Sequence, residues 1–375
     1  MSLIFIDGFD HHRGSFHKWN NITTTMGGSG RLGGSSIKTE STSSNYFTAD
    51  HTSQEHRTWI LGVALYMDSA KNDADWQIGF TGDTGASLDL MRIKTTGMNG
   101  ACFANFPSST IADIYSGPAW INSTTWYYLE LKFTMPTYSG TFGSGGQWGT
   151  DASFEFRING SLVINGSNLG RLRNFNGNQW PSIRGITLTA GFNGIWWDDL
   201  YICNGAGARN NDFLGDSRVL TSLAISNGTT IEFSPIGLAQ NYLNANKNPG
   251  SMLVPSTSNP SYNQGTYNTG TAHGATDLFH FAPLTGVSDS VTIHGLQIST
   301  LANKSDAGNL GIQSIAANAA TAYGFDYILP VAAGSNAQYF MDIFEQNPTG
   351  PVNWVASAIN ASQFGYRATP LGSAG

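Results

Sequence analysis

The sequence is poor in charge, in cysteine and in long apolar runs. Only 11% of its 375 residues are charged and the net charge is −7, so no basic surface is available to bind nucleic acid. Two cysteines, Cys102 and Cys203, are too few for a disulfide framework. We expect buried free thiols, with one bridge between them as the alternative. No segment reaches the ~18 consecutive apolar residues of a membrane span, so no membrane partner is expected.

The sequence also lacks the motifs of several enzyme classes. It contains no G-x-S-x-G nucleophile elbow, no H-E-x-x-H zinc motif and no phosphate-binding G-x-x-x-x-G-K-[ST] loop. No Glu is followed two residues later by a second carboxylate, a spacing that would place an acidic pair on one strand face. We therefore predict no catalytic residues and a protein that is not an enzyme, although acids far apart in the sequence can still converge.

Glycine and aromatic residues, in contrast, are abundant, with 45 glycines and 12% Phe, Trp and Tyr. Alternating runs bounded by Gly, Ser, Asn or Pro predict strands. In 154-FEFRINGSLVING-166, Asn159-Gly160 suits the positive φ angles of a type I′ turn, which predicts a β-hairpin. The fold class is therefore all-β. The clearest strand predictions are residues 59–67, 76–80, 126–133, 154–158 and 185–192.

The composition changes near residue 218. Residues 1–218 hold 15 Lys or Arg and 18 Asp or Glu, whereas residues 219–375 hold 3 and 7. We predict a first domain over 1–205, a linker over 206–218, where Gly and Asn dominate, and a second β-rich domain over 219–375. A surface so poor in charge suits either an ordinary sandwich with polar uncharged loops or one covered by copies of itself or by partners.

Within the second domain the apolar pattern predicts several strands and one short helix. Apolar residues at helical spacing in the run 352–364, namely Val352, Val355, Ile359 and Phe364, indicate a helix near the end of the chain. The predicted strands are residues 219–225, 229–233, 291–301, 310–315, 324–331 and 338–344.

Two aspartates stand side by side in 194-GIWWDDLYICNG-205. Successive side chains of a regular strand point to opposite faces, so we expect Asp198 and Asp199 to diverge and to form no catalytic pair, unless a bulge intervenes. Calcium binds six to eight oxygens, and Asp7 would lie near this pair if the first and last strands of the sandwich are neighbours. A calcium site at Asp7, Asp198 and Asp199 is one hypothesis. Bonding of these carboxylates to loop amides is the alternative that we favour.

Three aromatic residues lie in or beside glycine-rich segments and are candidates for stacking on sugar rings. They are Tyr138 and Trp148, in the long predicted loop 136–149, and Trp180. The alternative, which we favour, is that these rings cover loop edges of the sandwich.

Several segments resemble concanavalin A-like (laminin-G-like) jelly-roll proteins encoded among the structural genes of tailed bacteriophages. The resemblance implies a two-layer jelly roll over residues 1–205, followed by a second β-rich domain, and it implies a virion component. The segments that carry it are 6-IDGFD-10, 126-WYYLELKF-133, 154-FEFRINGSLV-163, 196-WWDDLYICNG-205, 212-DFLGDSRV-219 and 347-NPTGPVNWVASAINASQFGYR-367.

Three functions follow as hypotheses from these patterns and from the resemblance. The leading one is a virion structural protein, a capsid decoration or a neck or tail component, that acts in assembly and surface presentation with other virion proteins. We expect a homo-oligomer and favour a trimer. The alternative is a receptor-binding lectin of a tail fibre or baseplate that recognises host surface glycans. A polysaccharide hydrolase or lyase ranks third. No cofactor other than calcium is expected.

Overall fold

The structure is a computed structural model in which the described residues form two compact units. The first unit ends at Val219 and the second begins at Leu220. No helix among these residues is long and apolar enough to cross a membrane. The described residues are 2–10, 24–39, 45–48, 56–68, 76–82, 89–96, 101–105, 114–118, 124–139, 147–169, 183–190, 194–246, 253–254, 261–262, 267–270, 272–305, 310–318, 320–329 and 338–370.

Every regular element described in the first unit is a strand. The strands are β1 (Leu3–Asp7), β2 (Thr24–Ser29), β3 (Ser35–Thr39), β4 (Asn45–Thr48), β5 (Thr58–Met67), β6 (Trp76–Gly82), β7 (Asp89–Thr96), β8 (Ala101–Asn105), β9 (Ile114–Pro118), β10 (Trp126–Thr134), β11 (Tyr138–Ser139), β12 (Gln147–Trp148), β13 (Ser153–Ile158), β14 (Ser161–Gly166), β15 (Ile183–Ala190) and β16 (Ile195–Asn204).

These strands form two large antiparallel sheets and one short ribbon. One sheet has the order β14-β13-β10-β5-β16-β3-β2, with β1 also paired to β16, and the other has the order β4-β15-β6-β7-β8-β9. The two sheets pack face to face: the Phe80 and Phe133 rings lie 6.3 Å apart, and the Trp76 and Phe156 rings 6.1 Å apart. This two-layer sandwich confirms the predicted all-β, concanavalin A-like jelly-roll class.

Local sequence chemistry accounts for the best-predicted hairpin. β13 pairs with β14, and Asn159 and Gly160 between them have φ angles of 48° and 77°, as a type I′ turn requires. The Asn159 side chain also accepts a hydrogen bond from the Tyr128 amide at 2.7 Å, which joins the turn to β10. Cys102 and Cys203 are free and buried, as expected.

The prediction of one long loop over residues 136–149 was wrong in part. Tyr138–Ser139 and Gln147–Trp148 pair as the antiparallel ribbon β11–β12. Hydrogen bonds at the base of the ribbon provide the reason. The Gly149 amide donates to the Thr137 carbonyl at 2.6 Å, and the Asp151 carboxylate accepts from the Thr137 amide at 2.7 Å.

The second unit is also β-rich and contains two short helices. Its elements are β17 (Ala224–Ile231), β18 (Ser234–Ile236), α1 (Asn241–Ala245), β19 (Leu253–Val254), β20 (Ser261–Tyr262), β21 (Tyr267–Thr269), β22 (Thr276–Phe281), β23 (Leu296–Ala302), β24 (Leu310–Ala317), β25 (Thr321–Tyr323), β26 (Tyr327–Ile328), β27 (Gln338–Phe344), α2 (Ala356–Ala361) and β28 (Gln363–Pro370).

One six-stranded sheet organises this unit. Its order is β17-β22-β28-β24-β25, with β26 also paired to β24, and the pairs β18–β21, β19–β20 and β23–β27 form separate ribbons. Trp354 is fully buried against Phe344 and Phe364, and its indole N–H donates to the Phe344 carbonyl at 2.9 Å. The helix predicted near the end of the chain is α2, shorter than the pattern indicated.

The segment that joins the two units differs from the sequence expectation. Residues 219–223 form no strand, and the first strand of the second unit begins at Ala224. Residues 206–218, predicted as a linker, belong to the first unit. The Leu214 amide donates to the Tyr201 hydroxyl at 3.0 Å, and the Gly215 amide donates to Glu130 at 2.8 Å, so side chains of the sheet hold this segment.

Candidate functional site

A β-bulge in β16 brings several buried polar side chains together. On one side of β16, β3 pairs with residues 195–197 and β1 pairs with residues 200–203. On the other side, Asp198 is opposite Ala64 while Tyr201 is opposite Gly62, so β16 holds one extra residue. Asp199 takes the left-handed conformation, with φ of 49°, which Asp tolerates better than most residues.

The bulge overturns the expectation that Asp198 and Asp199 diverge. Asp198 Oδ2 accepts from the Arg31 amide at 2.7 Å, and Asp199 Oδ2 lies 3.6 Å from Arg31 Nη1. Asp199 Oδ1 accepts from the Val219 amide at 2.8 Å. Both carboxylates therefore face the turn that carries Arg31, because the extra residue interrupts the strict alternation of the strand.

Asp7 was expected near this pair, and β1 does pair with β16, with Asp7 opposite Leu200. Its Oδ1 accepts from the Phe9 amide at 2.8 Å, and Asp10 Oδ1 accepts from the Ser35 amide at 2.7 Å. In the described part of the chain, no group of three or more His, Cys, Asp or Glu is placed to hold a metal ion. Calcium at Asp7, Asp198 and Asp199 therefore stays a prediction, and the favoured bonding to loop amides is what the geometry provides.

Arg31 connects the aspartates to the segment that follows β16. Its guanidinium pairs with Asp216, donates to the Ser217 carbonyl at 3.4 Å and lies 5.3 Å from the centre of the Tyr128 ring. The Tyr128 hydroxyl donates in turn to the Asp199 carbonyl at 3.0 Å. One cation thus joins the turn between β2 and β3, the sheet and the residues that lead to the second unit.

A second buried pair lies beside these residues. The Tyr201 hydroxyl donates to Glu130 Oε1 at 2.6 Å, and both residues are almost fully buried. The Tyr201 ring stacks on Tyr128 with centroids 6.3 Å apart. We call the following six residues the polar cluster: Arg31, Tyr128, Glu130, Asp198, Asp199 and Tyr201.

Burial changes the acidity of the two aspartates. Burial, and next the charge of Asp199, raises the pKa of Asp198 to about 7. Burial raises the pKa of Asp199 to about 6, against the opposing hydrogen bond from Val219 and the charge of Arg31. Such values suit proton transfer near neutral pH, but Asp198 and Asp199 are only 4% and 3% exposed. The polar cluster therefore holds loops against the sheet through hydrogen bonds and presents neither aspartate carboxylate to solvent.

Two of the predicted sugar-stacking residues, Tyr138 and Trp148, lie in a different part of the first unit. Tyr138 and Trp148 occupy opposed positions of the β11–β12 ribbon, so the fold brings two of the three together. Trp180 lies outside the described residues. Arg57 fixes the base of the ribbon by pairing with Asp151 at 2.7 Å.

Comparison with known proteins finds similarity in fold alone. No protein family and no curated protein matches the sequence. Similar solved structures include an endo-β-1,4-glucuronan lyase from the fungus Trichoderma reesei, at 12% identity and a TM-score of 0.35, over 52% of this chain and 93% of the lyase. An alginate lyase from a Chlorella virus has 13% identity and a TM-score of 0.33, over 50% of this chain and 93% of that chain. A galectin from Caenorhabditis elegans has 10% identity and a TM-score of 0.29, over 50% of this chain and 97% of the galectin.

These structures correct one expectation. The absence of catalytic motifs led to the prediction of a protein that is not an enzyme, and this prediction is contradicted, because the similar structures include a glucuronan lyase and an alginate lyase. At these identities the likeness describes a fold and assigns no activity to this chain.

Sequence reasoning missed most of the polar cluster. It identified Asp198 and Asp199 but not Arg31, Glu130 or Tyr201. Arg31 lies in the glycine-rich 27-GGSGRLGG-34, where a lone cation among glycines was the available signal. Glu130 lies in the alternating run of a predicted strand. The local sequence does not indicate whether a carboxylate in such a run is buried or exposed, so its role could not be predicted.

Proposed function

We propose that this chain is a structural subunit of a tailed-bacteriophage particle, that it self-associates through its second unit, and that its sandwich is presented at the particle surface. The motifs of the resemblance support the place on a phage particle. The distribution of exposed apolar side chains supports the self-association.

That distribution is the observation that carries the proposal. Among the described residues, ten of the twelve exposed large hydrophobic side chains belong to the second unit. Exposed apolar patches mark contact sites with other proteins, and the excess of exposed apolar side chains in the second unit supports a contact there. The ten residues are Leu220, Leu223, Ile225, Ile236, Tyr267, Val291, Tyr323, Phe325, Ile328 and Val352.

The scarcity of charge supports the same conclusion. Of the ten charged residues in 219–375, Asp277 and Asp342 are buried and contribute nothing to the surface. Interface cores are depleted of charge and enriched in aromatic residues. A second copy of the chain has the same apolar, weakly charged surface and is therefore a suitable partner.

The edge of the six-stranded sheet is the contact that we propose. β17 is the terminal strand of that sheet, and Ile225 on it is 49% exposed. An edge strand offers unpaired backbone groups together with its side chains to another chain. A second chain that pairs with β17 would hydrogen-bond to these backbone groups and would cover the Ile225 side chain.

Sedimentation of the full-length chain tests this contact. We expect the wild type to be an oligomer, with a trimer as the favoured state, and Ile225→Lys to shift it towards monomer, because lysine on an edge opposes strand pairing. Leu162→Lys is the matched control, since Leu162 is 55% exposed on β14, the terminal strand of the first unit's sheet. A monomeric wild type, or equal effects of the two substitutions, would contradict the proposal.

The place on the particle needs a separate experiment. Phage particles that encode this chain are labelled with a gold-conjugated antibody against it and imaged by electron microscopy. Gold at one recurring position on the head, neck or tail would support the proposal. Label confined to material outside the particles would refute it.

Glycan binding by the sandwich is a second candidate, favoured by the opposed positions of Tyr138 and Trp148. Paired aromatic residues on a ribbon offer apolar surface to sugar rings. A glycan array probed with the wild type, with Trp148→Ala and with the control Trp59→Phe in the core tests it. Loss of binding in Trp148→Ala alone is expected. The absence of glycan binding by the wild type would reject it.

A further inference from the structure

A concave site lies on the second unit's six-stranded sheet. It has a volume of about 260 Å³, and its lining includes Gln313 on β24, Arg367 and Thr369 on β28, and Asp326. Gln313 is opposite Arg367, and Gly311 is opposite Thr369, in the β24–β28 register. By strand alternation these residues share the face opposite to the buried Ile312. We call this site the Arg367 pocket.

Arg367 is oriented by neutral groups. Its Nε donates to Gln313 Oε1 at 2.7 Å, and its guanidinium carbon lies 3.9 Å from the centre of the Tyr323 ring. Gln313 is itself fixed, because its Nε2 donates to the Gly324 carbonyl at 2.8 Å. In the described part of the chain no carboxylate forms an ion pair with Arg367, so the two Nη groups remain available as donors.

Asp326 is held at the other side of the same pocket. Its Oδ1 accepts a hydrogen bond from the Thr369 hydroxyl. Gly311 makes room for this contact, because a Cβ at that position would lie 2.6 Å from Asp326 Oδ1. Among the described residues Oδ2 of Asp326 has no partner. The pocket thus contains a cation and an anion that form no ion pair with each other.

We propose that the Arg367 pocket binds a carboxylated sugar ring, such as a hexuronic acid residue. The guanidinium fork of Arg367 matches a carboxylate with two parallel hydrogen bonds. The free oxygen of Asp326 accepts hydrogen bonds from ring hydroxyl groups. The volume lies just below the roughly 300–1,000 Å³ of ligand pockets, which suits one ring.

This inference is independent of self-association through β17. In the sheet order, β22 lies between β17 and the two strands that carry the pocket, β28 and β24. The two proposals can therefore fail separately. Ile225→Lys, which tests association, is expected to leave ligand binding unchanged.

Calorimetric titration of the full-length protein with D-glucuronate tests the pocket. We expect Arg367→Gln to weaken binding about tenfold or more, since a charge-assisted pair is lost. Asp326→Asn and Gly311→Ala are expected to weaken it as well. Arg157→Gln is the matched control, because Arg157 also donates through Nε, to Glu155 at 2.6 Å, and also stacks on an aromatic ring, that of Phe213 at 4.2 Å.

Three further ligands define the chemistry. D-glucose lacks the carboxylate, acetate lacks the hydroxyl groups, and glycine carries a carboxylate with an ammonium group. Each is expected to bind more weakly than glucuronate. Equal binding of glucose, tighter binding of glycine, unchanged binding by Arg367→Gln, or no heat from glucuronate at millimolar concentration would each overturn the proposal.

Discussion

At the scale of single residues, the backbone of Asp199 matters as much as its carboxylate. Its positive φ of 49° is tolerated by Asp and Asn but costs most other residues about 1 kcal/mol or more. Its Oδ1 also accepts a hydrogen bond from the Val219 amide at 2.8 Å. Two substitutions at this position test the two requirements together.

We predict that Asp199→Ala destabilises the first unit by about 2–4 kcal/mol, because both the conformation and the acceptor are lost. Asp199→Asn keeps a left-handed residue and one acceptor oxygen, so its cost should be about 1 kcal/mol. Denaturant unfolding followed by tryptophan fluorescence measures both. Equal costs would show that neither the left-handed conformation nor the acceptor oxygen contributes to stability.

The raised pKa values of Asp198 and Asp199 predict a dependence of stability on pH. An unfolded Asp has a pKa of about 3.9, whereas Asp198 in the fold has a pKa of about 7. Between these values the folded state binds more protons, so the free energy of unfolding falls as pH rises from about 4 to about 7, by an amount on the order of a few kcal/mol. Below pH 4 this contribution is fully present.

The measurement compares unfolding of the wild type and Asp198→Asn across this pH range at constant salt. The curve of the variant should be flatter, since its side chain does not titrate. Asp151 supplies the control, because hydrogen bonds from Thr137 and next from Arg57 lower its pKa to about 2. Asp151→Asn should leave the slope between pH 4 and 7 unchanged. A wild-type stability that rises across this window relative to Asp198→Asn would refute the assignment.

At the scale of elements, the β5–β16 pair depends on one glycine. Gly62 lies opposite Tyr201, and a Cβ on Gly62 would overlap the Tyr201 ring. The ring therefore packs directly on the backbone of β5. In this position the Tyr201 hydroxyl donates a hydrogen bond to Glu130 and accepts one from the Leu214 amide.

We predict that Gly62→Ala destabilises the first unit by about 1–3 kcal/mol through overpacking and releases residues 212–215 from the sheet. Hydrogen exchange of the Leu214 and Gly215 amides measures that release. Tyr201→Phe is the comparison, because it keeps the ring but loses the hydroxyl, and it should expose the Leu214 amide alone. Unchanged protection of both amides in Gly62→Ala would contradict the prediction.

At the scale of the whole molecule, each unit has its own core and its own buried aspartates. In the second unit, Asp277 is fully buried and accepts from the Glu232 and Phe233 amides at 2.9 and 3.0 Å. Its Oδ2 accepts from Asn241 at 2.7 Å. Asp277 therefore joins β22 to the turn before β18 and to α1, as Asp199 joins β16 to Val219 in the first unit.

We predict two unfolding transitions in calorimetry, one for each unit. Asp199→Ala should lower only the first unit's transition and Asp277→Asn only that of the second. Nine of the ten tryptophans precede residue 200, so fluorescence follows the first unit and identifies its transition. A single transition that both substitutions shift equally would show that the units unfold together.

The sequence by itself determined the all-β class, the hairpin at Asn159-Gly160 and the short helix α2. These features depend on interactions between residues close in the chain, namely alternation, turn conformation and helical spacing. Such information is complete within a short segment, so a local pattern suffices to predict it.

Only the tertiary structure decided where the charged side chains meet. Arg31 and Asp198 are separated by 167 positions in the chain, and Arg367 and Gln313 by 54. The bulge that turns Asp198 and Asp199 towards one loop arises where β16 changes partner from β3 to β1. Strand alternation holds only while the register is regular. The register of distant strands therefore determined the polar cluster and the Arg367 pocket.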